Sequence, residues 1–358
     1  MAAIKPLILL TRIYTQLTDN FAIAFLFNAG LTSSQRKPLG RQCYNDEMLG
    51  SIVAFISQTI RFATPLTFGA LSGIWAERSG IINIAIEGMM LTAAFIGFVA
   101  AYSTKSLLLG LLLAIVCGIM LGLLHAFFAI QLRTDQIISG TAINILAVGA
   151  TGYLMRTLFA IGEAPRIENF QAINIPLLSQ IPLLGPVLFQ NKPLVYLMFI
   201  AVLLSHLVLY YTPWGIWTRA AGEHPQALAS VGLKVVQLRY INMAISGALA
   251  GIGGAFFTLE NVGQFTEGMT NGKGFIALAV MIFGKWTPLG AFLAALLFGS
   301  AESLQIFMQL HKVTLPFTST PIPYQFLLML PYVLTILVLA GLVGRSTPPK
   351  SLGETFPN

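Results

Sequence analysis

The polar side chains that could carry chemistry in this chain are embedded in long apolar runs. Asn83 and Glu87 stand four residues apart near the start of the run Ile81–Tyr102, a spacing that predicts one face of a helix. An ionised Glu inside a bilayer costs at least about 3 kcal/mol, so it is expected to face a cavity or a partner. Two interpretations stay open: a position on a solute pathway, or a structural role in which Glu87 caps a helix or pairs with Arg78 or Arg133 near the cytoplasmic interface.

Catalysis and metal binding are not favoured by the remaining polar residues. An intramembrane enzyme needs an acid pair, a Ser/His or Ser/Lys dyad, or a metal cluster, whereas the acids and histidines here are sparse and scattered. His125, His206 and His311 lack ligand spacing, and the two cysteines are far apart. No Walker loop is present. We therefore expect no catalytic residue, no metal site and no ATPase site in this chain.

A polar, Gly-rich stretch at residues 260–274 precedes the apolar segment Phe275–Gly284. Ten residues span about 15 Å, roughly half of a bilayer core. Irregular backbone at membrane depth survives only where protein or water covers it, and such interrupted segments mark substrate routes in transporters. The candidate pathway residues are Asn83, Glu87, Thr141, Asn144, Phe265, Thr266, Glu267, Asn271 and Phe275.

Structural explanations stay open for several of these residues. Ser, Thr and Asn side chains also join helix pairs inside membranes, which would account for Thr141 and Asn144. An external loop that docks a binding protein would equally account for Glu267 and for the neighbouring Lys273.

A polar insert at residues 219–242 carries the start and stop signals of a short helix. Pro225 suits the first turn, and Gly232 is a natural stop. A helix of about two turns, Pro225–Val231, is not stable alone in water, so it must pack on something. The insert is either an ordinary interhelical connection or a coupling helix seated in a partner's groove. The residues assigned to coupling are Gly222, Glu223, His224, Pro225, Ala227 and Gly232.

Small residues after this insert predict close helix packing. Gly247 and Gly251 stand four apart, and Gly254 follows in the same run. Such small-xxx-small spacing lets membrane helices approach closely. We assign these three glycines to helix packing and not to a ligand site.

The composition places all of these residues in a membrane protein. Of 358 residues, 56% are hydrophobic and 9% are charged, against about 25% charged in soluble domains. The fold class predicted is all-α, a polytopic membrane bundle of about 9–10 transmembrane or partly spanning helices. The expected segments are Leu49–Gly73, Ile81–Tyr102, Leu107–Ile130, Ile137–Ala160, Pro193–Tyr211, Tyr240–Leu259, Phe275–Gly284, Leu289–Met308 and Tyr324–Val343.

The chain divides into three predicted regions. Residues 1–47 are expected to be a poorly ordered N-terminal extension, with an amphipathic surface segment as the alternative. Residues 48–345 form the transmembrane domain with a cytoplasmic loop at 213–239, and residues 346–358 form a cytoplasmic tail. With that loop inside, eight basic residues face the cytoplasm and five face outward, as the positive-inside rule expects. The net charge of +7 is thereby explained without nucleic acid.

Several motifs resemble one protein family. The stretch GEHPQALASVGLKVVQLRYINMAISGALAGIGGAFF resembles the coupling-loop region of the inner-membrane permeases of bacterial ABC importers, in the simple sugar and nucleoside branch. Glu77–Leu91 and Gln264–Gly299 resemble the N- and C-terminal signatures of that branch, and Gln136–Gly149 also fits. The resemblance covers about residues 48–345. His224 departs from the Asn that the family often has, and ENVGQFTEGMT and ERSG look closest to nucleoside, guanosine-type permeases.

The resemblance implies a fold like that of type II ABC importers, located in the bacterial inner membrane. It implies a permease subunit that imports a nucleoside or simple sugar, with ATP bound by separate ATPase subunits. The other implied partners are a second permease, either a related chain or a copy of this one, and an extracytoplasmic solute-binding lipoprotein. An ion-coupled secondary transporter acting alone and an intramembrane enzyme are the alternatives.

Overall fold

The computed structural model describes residues 41–159, 165–174, 176, 179, 185–310, 324–329, 333, 336 and 347–354. Two compact units divide the chain: Val53–Ser303 with Pro331–Asn358, and Met1–Ile52 with Leu304–Leu330. The first 40 residues of the predicted N-terminal extension lie outside the described residues, and so does most of the predicted span Tyr324–Val343.

Helices make up almost all of the described structure. Eleven α-helices are described in these ranges, α1 to α11 in chain order: Arg41–Arg78, Ile86–Thr104, Leu107–Ile130, Gln136–Leu158, Pro193–Tyr211, Pro213–Glu223, Pro225–Ser230, Val235–Ala255, Lys273–Phe283, Pro288–Leu310 and Tyr324–Leu328. Two π-helical segments occur at Gly185–Phe189 and Phe256–Val262, and the second continues α8. Strands β1 (Ile173–Asn174) and β2 (Gln190–Asn191) pair antiparallel, with Ile173 opposite Asn191.

Within the described residues, six helices are long and apolar enough to cross a membrane: α2, α3, α4, α5, α8 with its π-helical end, and α10. The sequence prediction gave the bounds of α3 and α5 without error. Local signals explain this, because Ser106 caps α3 by accepting a hydrogen bond from Leu109 N at 3.4 Å, and Pro193 occupies the first turn of α5. Asp135 caps α4 in the same way, with Ile137 N at 2.8 Å.

The two largest clusters in the core of the larger unit share α8. Aromatic and aliphatic side chains of α1, α5, α8, α9 and α10 form one cluster, which includes Phe68, Met198 and Phe298. The other cluster joins α2, α3, α4 and α8 around Met90 and Met243. Outward-facing side chains are mostly apolar, as a lipid environment requires.

Glycines set the distance between α8 and its neighbours. A Cβ atom on Gly247 would lie 2.2 Å from the carbonyl oxygen of Gly118 in α3. The corresponding distance is 2.6 Å from Gly251 to Ala114 O, and 2.1 Å from Gly254 to Met90 O in α2. All three backbones therefore approach closely at positions that no larger residue could occupy without a shift of the helices.

The prediction that Asn83 and Glu87 share a helix face is wrong. Residues 81–85 are not helical, and α2 begins only at Ile86. The backbone of this buried segment finds its partners elsewhere: Ile82 N donates to Gln136 Oε1 at 2.7 Å, and Ile82 O lies 2.8 Å from His125 Nε2. These side chains satisfy the backbone groups, so no helical ladder is needed there.

The predicted boundaries of three helices need correction. The first span, predicted at Leu49–Gly73, is part of a longer helix, Arg41–Arg78. The helix predicted at Tyr240–Leu259 begins earlier, at Val235, and extends as a π-helix to Val262. The short apolar helix begins at Lys273 instead of Phe275. In these last two helices a charged residue inside the first turns, Arg239 or Lys273, resembles loop sequence, although each has a polar partner in the fold.

Candidate functional site

Helix α7 is a short helix with a defined start and stop. Pro225 is its first residue and Ser230 its last, one residue short of the predicted end at Val231. At its end Gly232 has φ +83°, with Gly232 N donating to Ala229 O at 2.9 Å and Leu233 N to Leu228 O at 3.4 Å. This pair of bonds is the Schellman arrangement that ends helices at a glycine.

One side of α7 is anchored and the other is open. Pro225 and Leu228 are buried, and Leu228 belongs to a small cluster with Ala221 of α6 and with Val235 and Leu238 of α8. Six residues form a stable helix only with such packing. The buried side of α7 is therefore held by α6 and α8.

The open side of α7 carries both polar and small apolar residues. His224, Gln226 and Ala227 are exposed, and Val231 has 72% of its surface exposed. Gly222, at the end of α6, is buried, and a Cβ atom there would lie 2.5 Å from Arg78 O. A short helix with one anchored side and one exposed side can be inserted into a groove of a partner protein.

A second polar site lies where α9 begins. Glu87 is buried and its carboxylate accepts three hydrogen bonds: Thr270 Oγ1 at 2.6 Å, Gly272 N at 2.9 Å and Gly274 N at 2.6 Å. A carboxylate at a helix N-terminus satisfies free N–H groups and is favoured by the helix dipole. Glu87 thus caps α9. It does not pair with Arg78, which instead donates to Trp286 O at 3.0 Å.

Helix α9 is short, and its far end is held by a hydrogen bond to α1. Its 11 residues span about 16 Å, roughly half of a bilayer core. The far end is held beside the end of α1, because Trp286 Nε1 donates to Glu77 Oε2 at 2.6 Å. Glu77 is the next-to-last residue of α1, and it is buried. Helix α9 is therefore too short to cross a bilayer core by itself.

An ion pair that the sequence does not predict lies beside this cap. Lys273 Nζ is 2.5 Å from Glu302 Oε1, with 18% and 24% of the two side chains exposed. The ring of Phe62 lies 5.8 Å from the same ammonium. An acid inside the apolar run of α10 was the available signal for Glu302, since charges at membrane depth are rare and usually paired.

The other predicted pathway residues fall into separate groups. Asn144 binds both the first turn of α2 and the irregular segment before it, with Gly88 N at 2.7 Å from its Oδ1 and Ile84 O at 2.9 Å from its Nδ2. Asn83 donates to Ser246 Oγ at 2.9 Å and is fully buried. Phe265 is buried against Phe95, with ring centroids 5.1 Å apart. The exposed members of the set are Thr141, Thr266, Glu267, Asn271 and Phe275.

Glu267 belongs to a pair at the far end of α4. Arg156 donates to both of its carboxylate oxygens at 2.7 Å, and these bonds hold the pKa of Glu267 below its usual value. The two side chains are 67% and 44% exposed. The structure therefore does not bring Glu267 together with Glu87.

These features define a polytopic α-helical membrane protein that presents a short helix outside its bundle. The chain belongs to the family of branched-chain amino acid transport system permease components, whose match covers residues 55–339. It is a permease subunit of an ABC transporter, which makes it a transport subunit and not an enzyme.

Three relatives show how widely the similarity extends. The guanosine ABC transporter permease NupQ of Bacillus subtilis (strain 168) is 40% identical, over 84% of this chain and 95% of the relative. The nucleoside ABC transporter permease NupC of Lactococcus lactis subsp. cremoris (strain MG1363) is 34% identical, over 86% and 98%. The guanosine ABC transporter permease NupP of Bacillus subtilis (strain 168) is 26% identical, over 70% and 73%.

Proposed function

We propose that this permease imports a nucleoside and is driven by separate ATPase subunits that bind α7. The observation that carries the proposal is the geometry of α7: a helix closed by Gly232, anchored on α6 and α8 through Leu228, and open on its other side. The nucleoside is supported by the similarity to NupQ and NupC over most of each chain. Without that similarity, a simple sugar would fit equally well.

Coupling follows from how α7 is held. Its anchored side joins α6 and α8, and its exposed residues are free to enter an ATPase groove. Closure of the two ATPase subunits around ATP would displace α7, and the packed neighbours would move with it because interiors are dense and transmit strain. Of the residues predicted to couple, His224, Ala227 and Gly232 are exposed, and we assign them to this contact. Gly222 and Pro225 are buried and Glu223 is half-buried, so we assign these three to holding the helix in position. The loop and the C-terminus then face the cytoplasm.

The solute pathway is proposed to pass the capped end of α9. Asn271 and Phe275 are exposed there, and the ion pair of Lys273 with Glu302 provides hydrogen-bonding groups at membrane depth. Nucleosides combine an aromatic base with a hydroxylated sugar, so ring surfaces and polar groups are both needed. Glu87 fixes the backbone of this region by accepting its hydrogen bonds. Asn83 and Asn144 fix the segment before Glu87 through hydrogen bonds to Ser246 and Ile84.

The proposed partners are an ATPase subunit, a second permease and a solute-binding lipoprotein. NupQ and NupP are two different guanosine permeases of one bacterium, and this chain is similar to both, at 40% and 26% identity. This supports pairing with a related but different permease chain. Pairing with a second copy is the alternative, and the composition of the purified complex distinguishes the two.

The test of the function is uptake by the reconstituted complex with and without residues Glu223–Gly232. We expect ATP-dependent uptake of labelled guanosine by the intact complex and none after the deletion, with equal amounts of both chains in the membrane. Competition by other nucleosides and not by glucose would support the solute class. Uptake by the permease without any ATPase would contradict the proposal and favour a secondary transporter.

A further inference from the structure

The C-terminal segment Thr347–Glu354 lies against the end of α6, just before α7 begins. Ser351 N donates to Gly222 O at 2.8 Å, and Ser351 Oγ donates to Glu223 O at 3.2 Å. Lys350 N lies 3.4 Å from Glu223 Oε2. The segment therefore satisfies the carbonyl groups at the end of α6, which the turn into α7 leaves without helical partners.

The same segment also contacts the loop that follows α1. Gly353 N donates to Gly80 O at 3.1 Å. Both glycines have positive φ, +82° for Gly353 and +95° for Gly80, so the close contact uses backbone shapes that other residues rarely adopt. The segment thus bridges two loops that are far apart in the sequence.

A buried arginine completes this bridge. Arg239, in the first turns of α8, is 2% exposed. Its Nε donates to Ser79 O at 3.0 Å and its Nη1 donates to Glu354 O at 3.1 Å. A guanidinium can hold two carbonyl groups at fixed angles, which a lysine cannot do. Arg239 therefore connects α8 to the loop after α1 and to the C-terminal segment at once.

The bridge continues to the helix whose start is capped by Glu87. Arg78, at the end of α1, donates to Trp286 O at 3.0 Å and to Lys285 O at 3.3 Å, just after α9. The end of α6, the end of α1 and the end of α9 are thus joined by hydrogen bonds between described residues.

We propose that the segment Thr347–Glu354 and Arg239 form a strut that fixes the junction between α6 and α7 and passes a displacement of α7 to α1 and α9. Arg239 is a positioning residue and contacts no solute. The positioning of the junction stands on the contacts alone. The role in transport rests on the proposed function, in which an ATPase displaces α7.

The positioning is tested by amide hydrogen exchange on the purified, detergent-solubilised transporter. A variant that ends at Ser346 lacks the strut, and we expect exchange in residues 224–233 to rise by at least about tenfold, because several stabilising hydrogen bonds are lost. Exchange in α3 serves as the internal reference and should not change. Thr347→Ala, at an exposed position outside the contacts, should match the wild type. Unchanged exchange after truncation would overturn the strut.

The role in transport is tested by solute-stimulated ATP hydrolysis of the complex. We expect the truncated chain and Arg239→Ala to bind the ATPase, but the stimulation of ATP hydrolysis by solute should be at least about tenfold weaker than in the wild type. The stimulation with Arg239→Lys should lie between these two values. If Arg239→Ala does not fold, the truncated chain still provides the test. Full stimulation in the truncated complex would overturn this role. A wild-type complex without ATP-dependent transport would instead refute the proposed function, while the exchange result would still decide the positioning.

Discussion

Helices α7 and α9 are both short, but they are held in different ways. Helix α7 begins and ends at residues within its own sequence, Pro225 and Gly232. The start of helix α9 is capped by the carboxylate of Glu87, which is 183 residues away from Thr270 along the chain. One side of α7 is exposed, whereas the carboxylate that caps the start of α9 is buried. A contact helix must be free to engage a partner, whereas a helix end at membrane depth must have its backbone satisfied from within the protein.

The largest expected effect is on stability, at the buried cap. Glu87→Ala removes the acceptor of three donors, which should lower the free energy of unfolding by about 3 kcal/mol or more. Glu267→Ala is the matched control, because it also removes a carboxylate that accepts hydrogen bonds, but an exposed one. Thermal unfolding of the detergent-solubilised variants measures both. If Glu87→Ala unfolds no earlier than Glu267→Ala, the cap does not hold α9.

A smaller loss is expected at the packed glycines of α8. Gly254→Ala places a Cβ atom 2.1 Å from Met90 O, so the helices must move apart at a cost of about 1–3 kcal/mol. Gly149→Ala in α4 has nothing within 4 Å, and alanine is the better helix former by about 1 kcal/mol. The two substitutions should therefore shift the unfolding temperature in opposite directions. Equal shifts would contradict the close packing of α8.

The same contrast explains what the sequence could predict. Pro225 and Gly232 act on their own neighbours, so the short helix was predicted to within one residue of its end. Ser106 and Pro193 similarly marked the starts of α3 and α5. Contacts between residues far apart in the sequence leave no pattern in the local sequence. For this reason the sequence predicts segment 81–85 as helix, although it is irregular and the backbone of Ile82 is hydrogen-bonded to Gln136 and His125.

The candidate site divides along the same line. The exposed face of α7 could be inferred from its own residues and from a family resemblance. The cap by Glu87 could be stated only as one of two alternatives, since its partners at residues 270–274 gave no sign of their position. Glu302 and the bridge through Arg239 were not foreseen, because each joins helices that are distant in the sequence.

The smallest effect on stability is expected on the exposed side of α7, where a change should alter only the partner contact. Ala227→Cys, in a chain with Cys43→Ser and Cys117→Ala, should leave the unfolding temperature unchanged because residue 227 is exposed. The most direct test of the central claim is cross-linking of this cysteine to the ATPase subunit in membranes. We expect a permease–ATPase product whose yield changes with ATP. We expect no product from Thr157→Cys, which is exposed in the last turn of α4, the end that the proposed topology places outside the cytoplasm. A product of equal yield from both positions, or from neither, would contradict the assignment of α7 as the coupling helix.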